Sequence, residues 1–308
     1  MSVAIGLGLM DFPFKTGGDY WRWVDLCEAG GVDSLWQTDR VVSRVPMLEC
    51  MSAMAAIAGR TRRIKFGMNV VSLAFRDPVL LAKQCATIDV LSEGRLLPAF
   101  GIGNPLAPEW KALDLDTRTR GPKTDEALEI AHRLWREDSV DFHGVHFRLV
   151  GASILPKPVQ ANLPMWIGGS SEAAIRRTAR VGTGWLGGGE TPAEAGRVAA
   201  AIRAAAAECG RTIDADHYGA SFPFHFGHAS DPAVQHGMDA YRKRTGRDPG
   251  GYFAVGDAEV IVERIGEYVR AGTPKLVLRP VASGDEEMQT QTRKLIEQVL
   301  PRVEKSRA

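Results

Sequence analysis

The sequence predicts an α/β fold of the (β/α)8 TIM barrel type, and three observations carry that prediction. The first is a repeated grammar of short apolar strand, Gly- or Asp-containing turn and amphipathic helix, recurring about eight times at a spacing of about 40 residues. Alternation of this kind favours parallel strand pairing. The second is size: 308 residues with 44% apolar side chains suit one such barrel or two ordinary domains, and no stretch reads as a linker. One barrel domain over residues 1–308 is therefore expected. The third is the absence of a G-x-G-x-x-G turn directly after the first strand, where Gly6, Leu7 and Gly8 lie within the strand itself. That counts against a doubly wound open sheet.

Taken in chain order, short apolar runs bounded by turn residues place strands at 3–9, 34–38, 66–71, 96–102, 165–168, 184–186, 218–226 and 275–280. Helical periodicity places helices at 19–29, 48–58, 79–91, 123–135, 171–181, 193–207, 257–271 and 286–303. In the third of these the apolar stripe is Leu80, Leu81, Cys85, Ile88 and Leu91. Two segments depart from the repeat. Residues 139–150 alternate around a His143-Gly144 turn and read as a hairpin inserted before the fifth strand. Residues 228–253 form a long connection after strand 7, with one helix expected at 233–244 and a Pro249-Gly250-Gly251 end. This connection is expected to act as a mobile cover.

Composition narrows the partners. The formal charge is +1, with Lys and Arg scattered among Asp and Glu. Such a balance gives no footprint for nucleic acid or an anionic membrane, so a small-molecule substrate is expected. No apolar run approaches the roughly 18 residues of a membrane span, and MSVAIGLGLMDF lacks a basic region and cleavage site. The expected location is cytoplasmic. Cys27, Cys50, Cys85 and Cys209 lie far apart with no C-x-x-C pair, which indicates neither a zinc site nor a disulfide framework.

Barrel chemistry sits where strands end. The third and fourth strands exit through Asn69-Val70 and Gly101-Ile102-Gly103-Asn104, where a flat ring could lie against main chain. The second ends in Thr38-Asp39-Arg40, and Asp39 is the only clear strand-end acid, which argues against a glycosidase pair. The seventh ends in Phe224-His225-Phe226-Gly227-His228; the two histidines could begin a metal site or simply be polar lining, and no metal is expected. Gly168-Gly169 turn into Ser170-Ser171 at a helix start, an arrangement that either cradles a phosphate or only makes a capped turn.

The segments GVDSLWQTDR, DVLSEGR, the strand-end G-x-G, PEWKALDLD, LWREDSVDFHG, PMWIGGSS and ARVGTGWLGG together resemble the bacterial luciferase-like superfamily of flavin- and deazaflavin-dependent oxidoreductases. The matches keep the same order across nearly the whole chain. The resemblance implies a (β/α)8 barrel, FMN or the deazaflavin coenzyme F-420 at the C-terminal rim, and often a homodimer. It implies a bulged strand at Asn69-Val70 behind the ring, often through a non-prolyl cis peptide. Gly101, Gly103 and Asn104 would lie near the ring, Gly168, Gly169, Ser170 and Ser171 would cradle its phosphate, and Asp39 would lie near the ring edge.

One departure bears on chemistry. Many deazaflavin dehydrogenases carry Asp-His after the second strand, whereas this chain has Asp39-Arg40, and an arginine cannot act as a base. Arg40 could hold an anionic substrate or the ring edge, or pair with Asp39. His225 is then the nearest candidate for general acid/base work, whether it faces the interior or packs outward. Phe12, Phe14, Trp36, Phe75 and Trp185 are candidates to line the pocket, with Trp185 on the phosphate side, and Arg279 is either an anion clamp or a rim ion pair. The first functional expectation is a monooxygenase that uses reduced FMN and O2 on a small organic substrate, served by a separate flavin reductase. The alternative is an F-420-dependent dehydrogenase or reductase, and the third reading is a flavin-binding protein without catalysis.

Overall fold

Helix starts in this chain are locally encoded, and they fix where each strand hands over to its helix. Thr16 and Asp19 form a reciprocal capping box, as do Thr191 and Glu194. Asp77 caps a helix whose first residue is Pro78, with its φ already set for the turn.

The computed structural model describes residues 3–305. In chain order the strands are β1 (Ala4–Leu9), β2 (Ser34–Gln37), β3 (Lys65–Met68), β4 (Val71–Ser72), β5 (Leu96–Leu97), β6 (Ala99–Gly101), β7 (Val140–His143), β8 (Arg148–Ala152), β9 (Trp166–Gly168), β10 (Gly184–Gly187), β11 (Tyr218–Phe226), β12 (Ala254–Gly256) and β13 (Lys275–Pro280). The helices are α1 (Gly17–Ala29), α2 (Cys50–Arg60), α3 (Pro78–Leu91), α4 (Glu109–Ala112), α5 (Arg120–Leu134), α6 (Glu172–Val181), α7 (Pro192–Glu208), α8 (Pro232–Thr245), α9 (Ala258–Arg270), α10 (Asp285–Lys294) and α11 (Leu300–Lys305).

The parallel pairings run in a circuit. β1 lies between β2 and β13, and β13 continues through β11, β10 and β9 to β6. On the other side β2 pairs with β3, and the circuit closes where β3 meets β5 and β4 meets β6. The expected strands at 66–71 and 96–102 are each broken once. The first breaks at the Asn69–Val70 peptide, which is cis. The second breaks at Pro98, which has no amide to donate to a ladder. The β7–β8 ribbon is antiparallel and stands outside the circuit, while β12 pairs with β11 after the long connection that carries α8.

Trp36, Ala99, Trp166, Leu186 and Val277 form one buried cluster; they come from strands on all sides of the circuit and fill its interior. Trp36 meets Trp166 edge-on at 6.5 Å, and its indole donates to Ser34 Oγ at 2.9 Å. At ~25 cal/mol per Å2, each such ring removed from water contributes about 4–6 kcal/mol before ordering costs. A larger core lies between strands and helices. In α3 it takes Leu81, Cys85 and Ile88, while Leu80 and Leu91 are 59% and 63% exposed. The expected five-residue stripe is thus three residues wide, because Leu80 and Leu91 sit about 100° round the helix from the others. The expected last helix is α10 and α11 joined by a π-helical stretch, Leu295–Val299. Among the described residues no helix is long and apolar enough to cross a membrane.

Candidate active site

The exits of β4, β6 and β9 make one side of the barrel mouth, and their floor is a side chain. Val70 packs on the interior cluster. A Cβ on Gly101 would stand 2.7 Å from Val70 Cγ2, and one on Gly168 would stand 3.1 Å from both Val70 methyl groups. These glycines make room for a valine. The bare main-chain platform expected at Asn69-Val70 and Gly101 is therefore corrected: what the mouth offers there is the Val70 side chain, gripped by glycine on two strands.

Beyond β6 the chain turns at Gly103 (φ +78) beneath Phe75 and Trp110, whose rings meet at 4.5 Å. The Trp110 indole donates to Asn104 O at 2.7 Å, and Asn104 Oδ1 accepts from the Leu106 amide at 2.9 Å. Beyond β9, Gly169 has φ +99, a conformation that favours glycine. Ser171 caps α6, its Oγ accepting from the Ala174 amide at 3.3 Å, and Ser170 is exposed beside it. The amides that open α6 have no carbonyl one turn back, so this turn can receive an anion. Trp185 takes a different part from the expected one. It is fully buried, and its indole donates to Gly169 O at 2.7 Å, so it braces the turn and touches no open space.

Asp39 is also reassigned. Its carboxylate accepts two hydrogen bonds from Arg76 at 2.7 Å each and one from the Ser72 amide at 3.0 Å. Arg76 reaches on to Glu49 Oε1 at 3.1 Å. A carboxylate with three donors and a side chain 1% exposed ties β4 to the exit of β2. Arg40 does not pair with it. The guanidinium of Arg40 instead lies 3.9 Å from Glu109 Oε2.

Glu109 is the residue that sequence reasoning passed over. It is 1% exposed at the start of α4, and its Oε1 faces the amides of Val41 and Val42 at 3.3 and 3.5 Å. Its Oε2 is buried with no hydrogen-bond partner. The available signal was an acid in a short helix directly after the strand-four exit.

His225 is no base in this arrangement. It is 2% exposed, with Nδ1 2.8 Å from Val281 O and Nε2 3.0 Å from Asp231 Oδ2. Both nitrogens are engaged: one ties β11 to the residue that follows β13, the other to the N-cap of α8. Among the described residues no group of three or more His, Cys, Asp or Glu is placed to hold a metal ion.

Across the mouth, the exits of β1, β11 and β13 and helix α8 enclose a cavity of about 500 Å3. Pro223, Tyr241, Tyr252, Phe253 and Arg279 line it. Of the aromatics expected there, Phe12 and Phe14 pack tilted or edge-on against Tyr20, and Phe75 and Trp36 meet Trp110 and Trp166 edge-on. Arg279 is 7% exposed, and burial pushes its guanidinium down to about 10, still charged at neutral pH.

A sequence profile described as luciferase-like monooxygenase matches residues 16–253. An F-420-dependent glucose-6-phosphate dehydrogenase of Nocardia farcinica is 32% identical over 167 residues, 52% of this chain and 49% of that protein. The chain spans about half the length of the curated relatives it matches. A monooxygenase from Streptomyces bottropensis superposes with TM-score 0.83 at 21% identity, covering 97% of this chain and 99% of that one. An F-420-dependent secondary alcohol dehydrogenase bound to an F-420–acetone adduct gives TM-score 0.84 at 17% identity, covering 98% and 99%. At these identities the superpositions establish the fold alone.

Proposed function

Because the chain belongs to the luciferase-like monooxygenase family, we propose that it is an oxidoreductase that works with a flavin-type ring, the deazaflavin F-420 in the reading supported best, and exchanges a hydride with a small organic substrate. The observation that carries this reading is Glu109: a buried carboxylate at the mouth with one oxygen left without a hydrogen-bond partner, its nearest charge the Arg40 guanidinium at 3.9 Å. When bound, such a ring supplies the donor or acceptor of the hydride. The chain's own residues do the rest. Val70 gives the ring face an apolar floor, and the amides of Ser170, Ser171 and Glu172 hold an anionic tail. Glu109 Oε2 takes the proton of the substrate's hydroxyl or returns one to its carbonyl oxygen, with the Arg40 guanidinium 3.9 Å away. The assembly we propose is a homodimer.

A second reading uses reduced FMN and O2, with a separate flavin reductase supplying the reduced ring. Arg40 favours it, since it stands where the deazaflavin branch carries histidine. Parallel anaerobic titrations with reduced FMN and reduced F-420, followed by O2-uptake measurements, separate the two. Tight binding of F-420 without O2 uptake is expected. Glu109→Gln should keep ring affinity within about twofold while turnover drops about 10²- to 10⁴-fold. Tight FMN binding with O2 consumption would hand the conclusion to the second reading.

A further inference from the structure

The polar groups around the cavity at β1, β11, β13 and α8 differ in how much of their hydrogen-bonding capacity is engaged. Tyr252 Oη donates to Gly188 O at 2.9 Å and accepts from Arg279 Nη2. Tyr241 Oη lies 3.2 Å from Gly189 O and accepts from Arg247 Nη2 at 2.8 Å. Both hydroxyls are therefore occupied by the protein. Arg279 is not. Its Nε is buried with no acceptor, and among the described residues no carboxylate pairs with it. Arg244, on the same cavity wall, lies over the Tyr241 ring at 5.9 Å and likewise has no ion pair among the described residues. Its charge acts on Arg279 in the unfavourable sense. Asp11 is the one carboxylate in the lining, and burial raises its carboxyl above the usual value.

Two guanidinium groups of like charge, one of them buried, thus share a cavity; Asp11 is in the same lining and the Glu190 carboxylate acts on Arg279 in the favourable sense, but among the described residues neither forms an ion pair with these guanidiniums. A buried charge left in that state is costly, and an anion entering from solution relieves the cost. The rest of the wall is mostly carbon, including Pro223, Phe253, Pro280 and Val281. A ligand rich in hydroxyls would bury them there without partners. The geometry points to a substrate that is a small, largely apolar carboxylic acid, its carboxylate held by Arg279 and its hydrocarbon body on the proline and aromatic wall. The volume, about 500 Å3, lies within the range of small-molecule sites. The assignment rests on the proposed oxidoreductase reading for its meaning as a substrate site. It places the acid group across the mouth from Val70 and Glu109, so that the body of the molecule reaches toward them. A sugar phosphate fits this lining poorly.

The test is equilibrium binding to the full chain without cofactor, by calorimetry, using cyclohexanecarboxylate, cyclohexanecarboxamide, glucose 6-phosphate and inorganic phosphate as probes. The carboxylate should bind at least about tenfold more tightly than the amide, the scale of one charge-assisted hydrogen bond. Arg279→Gln should abolish that preference and leave amide affinity unchanged, and Arg279→Lys should retain part of it. If Arg279→Gln does not fold, Arg244→Gln on the exposed face of α8 should still lower the carboxylate preference severalfold. Equal affinity for acid and amide, a preference that survives Arg279→Gln, or tighter binding of glucose 6-phosphate overturns the assignment. Ring titrations on the same variants keep the two readings apart. Ring binding without carboxylate preference removes this inference alone, and carboxylate preference without ring binding removes the oxidoreductase reading.

Discussion

Replacing Gly101 with alanine tests whether Val70 is a seated floor. The added Cβ would stand 2.7 Å from Val70 Cγ2, against an ordinary carbon contact of about 3.5–4.0 Å, so about 1 Å must be found. Strand β6 cannot supply it cheaply, because Gly101 is registered with Ser72 and its neighbour Phe100 with Ile167. Overpacking of this sort costs about 1–3 kcal/mol, roughly 2–5 °C in Tm for a chain of this size. Val70→Ala alone should cost about 1 kcal/mol, for two partly buried methyl groups. In the double variant the clash is gone, so its stability should lie close to that of Val70→Ala, a non-additivity of about 1–3 kcal/mol. Urea unfolding of the four proteins measures this, and anaerobic ring titration follows the floor as it is pushed into the mouth. Additive stabilities, or a neutral Gly101→Ala with unchanged ring affinity, would refute the reasoning.

Two further outcomes follow from saturated hydrogen-bond sites. His225→Asn keeps a donor for Val281 O and loses the contact to Asp231; it should lower stability by about 1–3 kcal/mol and leave turnover per folded molecule within about twofold. A hundredfold loss of turnover at unchanged Tm would restore His225 to the chemistry. Burial acts to raise the Glu28 carboxyl, but its hydrogen bonds from the Arg62, Arg63 and Ile64 amides, 2.8 Å each, outweigh this and hold it below the usual range. A depressed carboxyl gives stability that is present above its unfolded value, about 4.3, and is lost as pH falls through the folded value. Glu28→Gln should therefore be less stable than the wild type at pH 7, with the difference shrinking below about pH 4 in urea titrations. A difference that stays constant down to pH 3 contradicts the assignment.

The scaffold was legible because it is written in short-range patterns. Alternating strand and helix periodicities point to the barrel, while the caps at Thr16, Asp77 and Thr191, which that reading left unnamed, set the helix starts. The mouth was legible in its backbone: the break at Asn69–Val70 and the turns at Gly103 and Gly169 all fall on strand exits. What periodicity cannot carry is which side chain answers which. Asp39 looks like a free strand-end acid until Arg76, 37 residues on, is brought against it. His225 looks like a free base until Val281, 56 residues on, takes one of its nitrogens.

The same criterion sorts the rim as a whole. Asp39, His225 and Trp185 have the right chemistry and the right strand ends, yet each has its polar atoms matched within the chain and does structural duty. Glu109 and Arg279 are the converse: each is more than nine-tenths buried, and each keeps an atom with no hydrogen-bond partner. Folding does not ordinarily leave such groups unanswered, because a buried polar atom without a partner costs about 1–3 kcal/mol, and more if charged. They lie on opposite sides of the mouth, one acidic and one basic, with the Val70 floor on the acidic side. A ligand that bridges them would satisfy both, so the residues most informative about function are those whose hydrogen bonding the fold leaves incomplete.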